Sequence, residues 1–401
     1  MRLLVFYPYI PFPVDRGTYQ RTFHLLRALA HDHTVDFLAL SENGERLEQR
    51  PVFAEFCRRV EFIPFAHPPW PKLIPDRLLH PLPATVRRWR LPAIADALAR
   101  FMAGQQYDLV HVCDIVLAQY FLDSHQAQPL VVDRSRVDWQ FQIEQARRMS
   151  HGLRDRVLTW ENLAKLARFE KRIARRVDVE VVCGPDDKTF IRDRISRTAE
   201  VFVLANGVDL DYFRPGAVPT KRASEPTVLF CGAMDYTPNV DALRWYFAEI
   251  HEQLRAQIPE LRVLIVGKAP VPEVQAYATR PGVTVTGGVP DVRPFYQEAW
   301  LQIVPLRIGG GTRLKIPESM ALETPVVSTT IGAQGLDLRH DTDILLADTP
   351  AEFAAQTARA LRDAELRARL AQTGRATVQA RLAWPMLGQQ LSEFYAKRFA
   401  H

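Results

Sequence analysis

Short β-branched and aromatic runs alternate with stretches of helical spacing along most of this chain, and that alternation restricts the fold to sheets whose strands are covered by helices. The first run, Arg2-Leu3-Leu4-Val5-Phe6-Tyr7, breaks at Pro8, Pro11, Pro13 and Gly17, which reads as a buried strand followed by a loop. From Thr18 the residues Phe23, Leu25, Leu26, Leu29 and Ala30 keep helical spacing, and Thr34 to Leu40 is strand-like again. Further runs stand at Leu109 to Val112, after a helical pattern from Ile94 to Met102, and at Leu130 to Val132 and Val179 to Val182. Strands joined through helices in this way pair in parallel.

The alternation is interrupted once. Asn206 to Pro226 is polar and helix-poor, and carries Gly207, Pro215, Gly216, Pro219 and Pro226, the composition of a linker. Beyond it strands are expected at Thr227 to Cys231, Arg262 to Val266, Val283 to Thr286, Leu301 to Pro305 and Pro325 to Ser328. The 401 residues are about two to three times a typical domain. Two α/β domains are therefore expected, residues 1–205 and 206–383. A helical stretch from Ala351 to Ala383 precedes a last helix, within 384–401, that crosses back to the first domain.

No apolar stretch approaches the roughly 18 residues of a membrane-spanning helix, and the run from Met1 to Pro8 is too short for a signal peptide's apolar region. A cytoplasmic protein is expected. Cys57, Cys113, Cys183 and Cys231 have neither metal-knuckle nor redox-motif spacing and read as reduced thiols. The net charge of +5 is too mild to indicate nucleic acid. Arg134 to Arg176, however, holds 12 basic against 5 acidic residues, or +7, which suits either an anionic membrane surface or a solvated helix face.

Tandem Rossmann-like domains place a ligand cleft between the carboxyl ends of their sheets, so chemistry is sought in the loops after strands. The loop after Leu301 to Pro305 stands out. Gly309, Gly310 and Gly311 let backbone amides approach an anion, Thr312 follows, Arg313 and Lys315 supply positive charge, and Pro317 suits the first position of a helix. Glu318 falls in that helix's first turn, where a carboxylate accepts hydrogen bonds from neighbouring hydroxyls such as those of a ribose, or complements the helix dipole. A dinucleotide fingerprint fails on spacing, because Leu314 stands where its third glycine belongs.

Gly309 to Val327 resembles the nucleotide-sugar signature of glycosyltransferase family 4, a retaining group with the GT-B fold: α/β, with two Rossmann-like domains facing each other across a cleft. Other stretches agree in order. Ala205 to Asp209 with Tyr212 to Pro215 resembles the family's interdomain motif, Thr227 to Gly232 with Met234 to Tyr236 its next strand and loop, and Gly287 to Val292 its base-binding loop. The first domain is covered more loosely, by Pro11 to Gly17, Arg21 and Asp108 to His111. Within the family, Gly-Gly-Gly-Thr-Arg-Leu-Lys is similar to enzymes of exopolysaccharide and lipid-linked glycan assembly. The chain departs from the pattern twice: Gly310 replaces the first of two glutamates separated by seven residues, the second being Glu318, and the loop after Cys231 lacks the usual Arg and Lys.

The resemblance implies a retaining, metal-independent hexosyltransferase that needs no cofactor and takes its sugar from a nucleotide diphosphate. Arg313, Lys315 and His111 are its implied catalytic residues, with the missing diphosphate cations supplied by Arg313 and Lys315. Gly309, Gly310, Gly311, Thr312, Glu318, Val289 and Gly232 are implied for donor binding. Gly17, Arg16 and Arg21 form the expected acceptor or diphosphate loop, and His111 is also readable as a core histidine. The acceptor is a glycan or lipid-linked molecule bound by the first domain, at the inner face of the cell membrane. Asp209 to Asp211 and Asp341 to Asp343 imitate a metal motif, but the first belongs to the interdomain motif and the second to a polar loop, and Asn206 and Asp209 read as hinge and capping residues. Two alternatives share the fold: a scaffold without turnover, motivated by Gly310 and the altered Met234 loop, and a nucleotide-sugar 2-epimerase.

Overall fold

The computed structural model describes residues 1–14, 17–67, 80–122, 128–148, 152–308 and 313–399. They form two units, Met1–Ala205 joined by the chain from Trp384 onward, and Asn206–Ala383. In the first unit seven strands, β1 (Arg2–Tyr7), β2 (Thr34–Glu42), β3 (Arg59–Phe65), β4 (Leu109–Cys113), β5 (Leu130–Arg134), β6 (Val179–Val182) and β7 (Val201–Val203), build one sheet in the order 3-2-1-4-5-6-7. Every pairing is parallel, with Val5 beside Phe37 on one side and His111 on the other. The central strands β1, β4 and β5 are buried along almost their whole length, as a sheet covered by helices on both faces requires.

The second unit repeats the plan. Its strands β8 (Thr227–Cys231), β9 (Arg262–Val266), β10 (Val283–Val285), β11 (Leu301–Val304), β12 (Val326–Ser328) and β13 (Leu345–Leu346) are parallel, in the order 10-9-8-11-12-13. Three of these strands escape the sequence reading. β3 is interrupted by Glu61 and Pro64, and β7 and β13 are only three and two residues long at sheet edges, where pairing needs little apolar signal. The single helical stretch read from Ala351 to Ala383 is two helices, Pro350–Arg362 and Ala364–Arg381. Asp363 divides them: its extended backbone ends the first, and its side chain accepts the Leu366 amide at 2.9 Å to cap the second.

The last helix, Trp384–Phe399, lies against the helix Gly17–Asp32 in the first unit. A side chain at Gly388 would stand 2.1 Å from the Ala28 Cβ, so glycine is what permits this approach. Trp384 stacks on His24 at 5.4 Å, Ser392 meets His33 at 3.0 Å, and the Tyr395 hydroxyl meets His111 at 2.8 Å. Among the described residues no helix is long and apolar enough to cross a membrane.

Candidate functional site

In the second unit the strand order reverses between β8 and β11, and in open parallel sheets ligands sit at such a reversal, beyond the carboxyl ends of the strands. The loops that follow Cys231 and Val304 therefore frame the candidate site. Gly232 leaves β8 with φ +155°, and Gly267 leaves β9 with φ +154°. A Cβ at Gly267 would lie 1.7 Å from the Gly232 carbonyl oxygen, so two backbones meet there at a distance only glycine allows. The Gly232 amide donates to Val266 at 3.0 Å, Met234 to Lys268 at 2.9 Å and Gly267 to Gly287 at 3.1 Å, which stitches the three loops into one rim.

Lys315 opens the helix Lys315–Ala321, so this helix begins two residues before the position expected from Pro317. A proline is tolerated at the third position because first-turn amides have no partner inside a helix. The Lys315 ammonium donates to Asn239 Oδ1 at 2.8 Å and lies 4.4 Å from the centre of the Phe230 ring. Asn239 is 5% exposed, and its Nδ2 donates to the Ala233 carbonyl at 2.8 Å. Both ends of that amide are thus used, and it holds the lysine in the loop after β8. Burial lowers the Lys315 ammonium to about 8; Arg313 acts in the same direction, while Cys231 and Glu318 oppose it.

Glu318 sits in the first turn of the same helix, half-buried, and accepts the buried Tyr296 hydroxyl at 3.3 Å. Burial pushes the Tyr296 phenol well above its ordinary range, which keeps it a donor to that carboxylate. Arg307, also after β11, is held by Asp241 at 2.7 and 3.1 Å. On the far rim Gly287, with φ +70°, and half-buried Val289 lead into Asp291 and Arg293. Arg293 pairs with Asp291 at 2.7 Å, lies 3.9 Å over the Tyr212 ring and donates to the Tyr212 carbonyl at 3.1 Å. That stack ties the segment after Asn206 to the loop bearing Val289. Gly309, Gly310, Gly311 and Thr312 lie outside the described residues.

In the first unit the reversal falls between β1 and β4. Gly17 opens the helix there and is exposed; Arg16 lies outside the described residues. Arg21 and His111, both read as site candidates, are placed in the interior. Arg21 falls one turn into its helix, on the same face as Leu25 and Leu29, and is 1% exposed. Its guanidinium meets Asp133 at 2.8 Å and donates to the Leu204 carbonyl at 2.9 Å. His111 is fully buried in β4, between Tyr395 and Asp133, whose Oδ2 is 4.0 Å from its Nε2. Burial, and secondarily Arg21, lower its imidazole to about 4 while Asp133 opposes them, so the ring is neutral at pH 7.

Two residues that sequence reasoning did not single out belong to these rims. Asn239 is one polar residue after a proline, and nothing local announces its reach to Lys315. Asp114 ends β4 with φ +79°, and its side chain accepts the Val116 amide at 3.2 Å. Burial and the nearby Asp138 push its carboxyl above the usual range. Asp209 accepts the Asp211 and Tyr212 amides, and Asp341 pairs with Arg359 and Arg369; these are turn and surface roles.

Residues 225–363 match the family model described as glycosyl transferases group 1. A curated relative, an uncharacterised 44.6 kDa protein in the cps region of Klebsiella pneumoniae, is 26% identical over 135 residues, which are 32% of this chain and 35% of that protein. The match thus spans about a third of that relative's length. Among solved structures, a sucrose-phosphate synthase from Thermosynechococcus elongatus covers all of both chains with a TM-score of 0.74 at 22% identity. HepE from Anabaena, solved in complex with UDP and glucose, covers 98% of this chain and 99% of its own with a TM-score of 0.66 at 16% identity. The chain has the GT-B fold of these proteins, and the match agrees with the resemblance to glycosyltransferases read from the sequence motifs.

Proposed function

We propose that this chain is a retaining, metal-independent glycosyltransferase that moves a hexose-type sugar from a nucleotide diphosphate to a glycan or lipid-linked acceptor in the assembly of an envelope polysaccharide. The observation that carries the reading is the Lys315 ammonium, fixed by Asn239 at the β8/β11 reversal and followed one turn later by Glu318. Breaking the bond between sugar and phosphate builds negative charge on the leaving diphosphate. A cation already half-buried and oriented stabilises that charge with little reorganisation when the bond breaks. Arg313 adds a second positive charge beside it. The glycine loop, Gly309 to Thr312, is the proposed source of backbone amides for the same oxygens.

Glu318 has the chemistry to accept two ribose hydroxyls, with Tyr296 orienting the carboxylate from behind. Val289 and the loop held by the Tyr212 and Arg293 stack are the proposed seat of the base. Support for a nucleotide diphosphate donor comes from HepE, whose structure holds UDP and glucose. Support for polysaccharide assembly comes from the Gly-Gly-Gly-Thr-Arg-Leu-Lys form of the loop.

The test is a thermal-shift panel of nucleoside diphosphates and nucleotide sugars. A true donor at 100 times its Kd stabilises the protein by about 2.7 kcal/mol. Glu318→Ala is expected to preserve the unliganded transition and to weaken donor binding by ~1.5 to 3 kcal/mol, the range for charged hydrogen bonds. Stabilisation by no nucleotide in the panel, or equal stabilisation of the Glu318→Ala protein, contradicts the reading.

A further inference from the structure

The helix Leu153–Ile173 has an unusual outer face. Its inner stripe is ordinary: Leu163, Leu166, Phe169 and Ile173 are all buried in the first unit. On the opposite stripe, at helical spacing, come Val157, Trp160, Ala164, Arg168 and Lys171, and all five are exposed. Val157 is 57% and Trp160 67% exposed, the two most exposed large apolar side chains among the described residues. A solvent-facing stripe is normally polar, and an apolar pair at its crest costs hydration free energy unless something covers it.

The charge around that pair says what the cover is. Arg168 and Lys171 continue on the exposed side of the helix, Arg175 follows just beyond its end, and Arg156 stands beside Val157. The acidic residues of the helix do not cancel them. Glu161 is paired with Lys165, and Glu170 is buried against Arg134 at 2.6 Å, which leaves Asp155 as the exposed acid. With a rise of about 1.5 Å per residue, the apolar part, Val157 to Ala164, extends about 10 Å along the helix and the basic part, Arg168 to Lys171, about 5 Å. An indole that leaves water at the headgroup level, with cations set against lipid phosphates, is the composition of a helix lying on a bilayer surface.

We infer that the outer face of the helix Leu153–Ile173 is a docking surface for an anionic lipid bilayer, with Trp160 and Val157 entering the interface and Arg168 and Lys171 meeting the headgroups. The inference rests on the proposed function only in that a lipid-linked acceptor would be presented at such a surface. Its test needs no turnover, so the failure of either reading is visible without the other.

The experiment is flotation of the full-length protein with vesicles of phosphatidylglycerol and phosphatidylcholine, and with phosphatidylcholine alone, at low and high salt. The wild-type protein should float with the anionic vesicles at low salt and be released by salt, whose screening weakens exposed charges. Val157→Ser with Trp160→Ser, and separately Arg168→Glu with Lys171→Glu, should each reduce bound protein at least about tenfold. Both double variants should keep the wild-type thermal transition and the wild-type shift with nucleoside diphosphate. Equal binding to neutral and anionic vesicles, or binding by either variant at the wild-type level, overturns the inference. So does a wild-type dimer in sedimentation velocity that the Trp160 variant converts to monomer, because a second copy of the chain would then be the cover.

Discussion

Lys315→Met is expected to lower turnover by about two to three orders of magnitude while changing the KM for the donor by less than about tenfold, as loss of one preorganised oxyanion donor does. The unequal split follows from where the charge is needed. A bound nucleotide sugar already carries a diphosphate, for which Arg313 is proposed as a second cation, but the extra charge of bond cleavage appears only in the transition state. Methionine keeps an unbranched side chain of similar length and removes the ammonium that lies over the Phe230 ring, so the charge rather than side-chain bulk is what the substitution takes away. Asn239→Ala leaves the charge but frees its position. Its turnover should fall by about tenfold and be recovered in part by Asn239→Gln. Full turnover by the Lys315→Met protein places the phosphate site elsewhere.

The second large effect is on stability. Arg21 and Asp133 are each 1% exposed and meet at 2.8 Å, so removing one partner strands the other as a buried charge. Asp133→Ala should cost the first unit about 3 to 5 kcal/mol. In calorimetry the corresponding transition should move down by roughly 10 °C. Replacing both residues by leucine should return much of the loss, because neither charge is then left in the interior. Nucleotide binding by the second unit should be unchanged in the variants that remain folded. An unshifted transition together with a raised KM would instead return Arg21 to a ligand-binding role.

The sequence reveals most of both sheets for one physical reason. Strands buried on both faces are continuous apolar runs, so β1, β4, β5, β8, β9 and β11 are visible without any knowledge of their partners. β3, β7 and β13 are hidden because edge strands are short or tolerate Glu61 and Pro64. At the site, the motif marks the stretch from Gly309 to Glu318 but not the direction of each side chain. Arg21 and His111 look like site residues because they stand near loops. Helix phase turns Arg21 inward, and the Tyr395 hydroxyl, 284 residues further along the chain, takes His111 into the core. Asn239 shows the opposite case: an amide of no local distinction reaches the Lys315 ammonium when the folded sheet brings the loop after β8 beside the helix that starts at Lys315.

The most direct test of the central claim, that a nucleoside diphosphate binds against Lys315, is the titration of that side chain by carbon NMR, assigned by difference from the Lys315→Met protein. In the free protein the ammonium should lose its proton near pH 8, because burial and Arg313 disfavour the charged form. A bound diphosphate favours the charged form, so at saturation the midpoint should rise to about 9 or above, each unit corresponding to 1.36 kcal/mol of linkage. By the same linkage, affinity for the diphosphate is highest below pH 8 and falls about tenfold per unit between the free and bound midpoints. A midpoint that stays near 8 when a tightly binding nucleoside diphosphate saturates the protein would contradict the account.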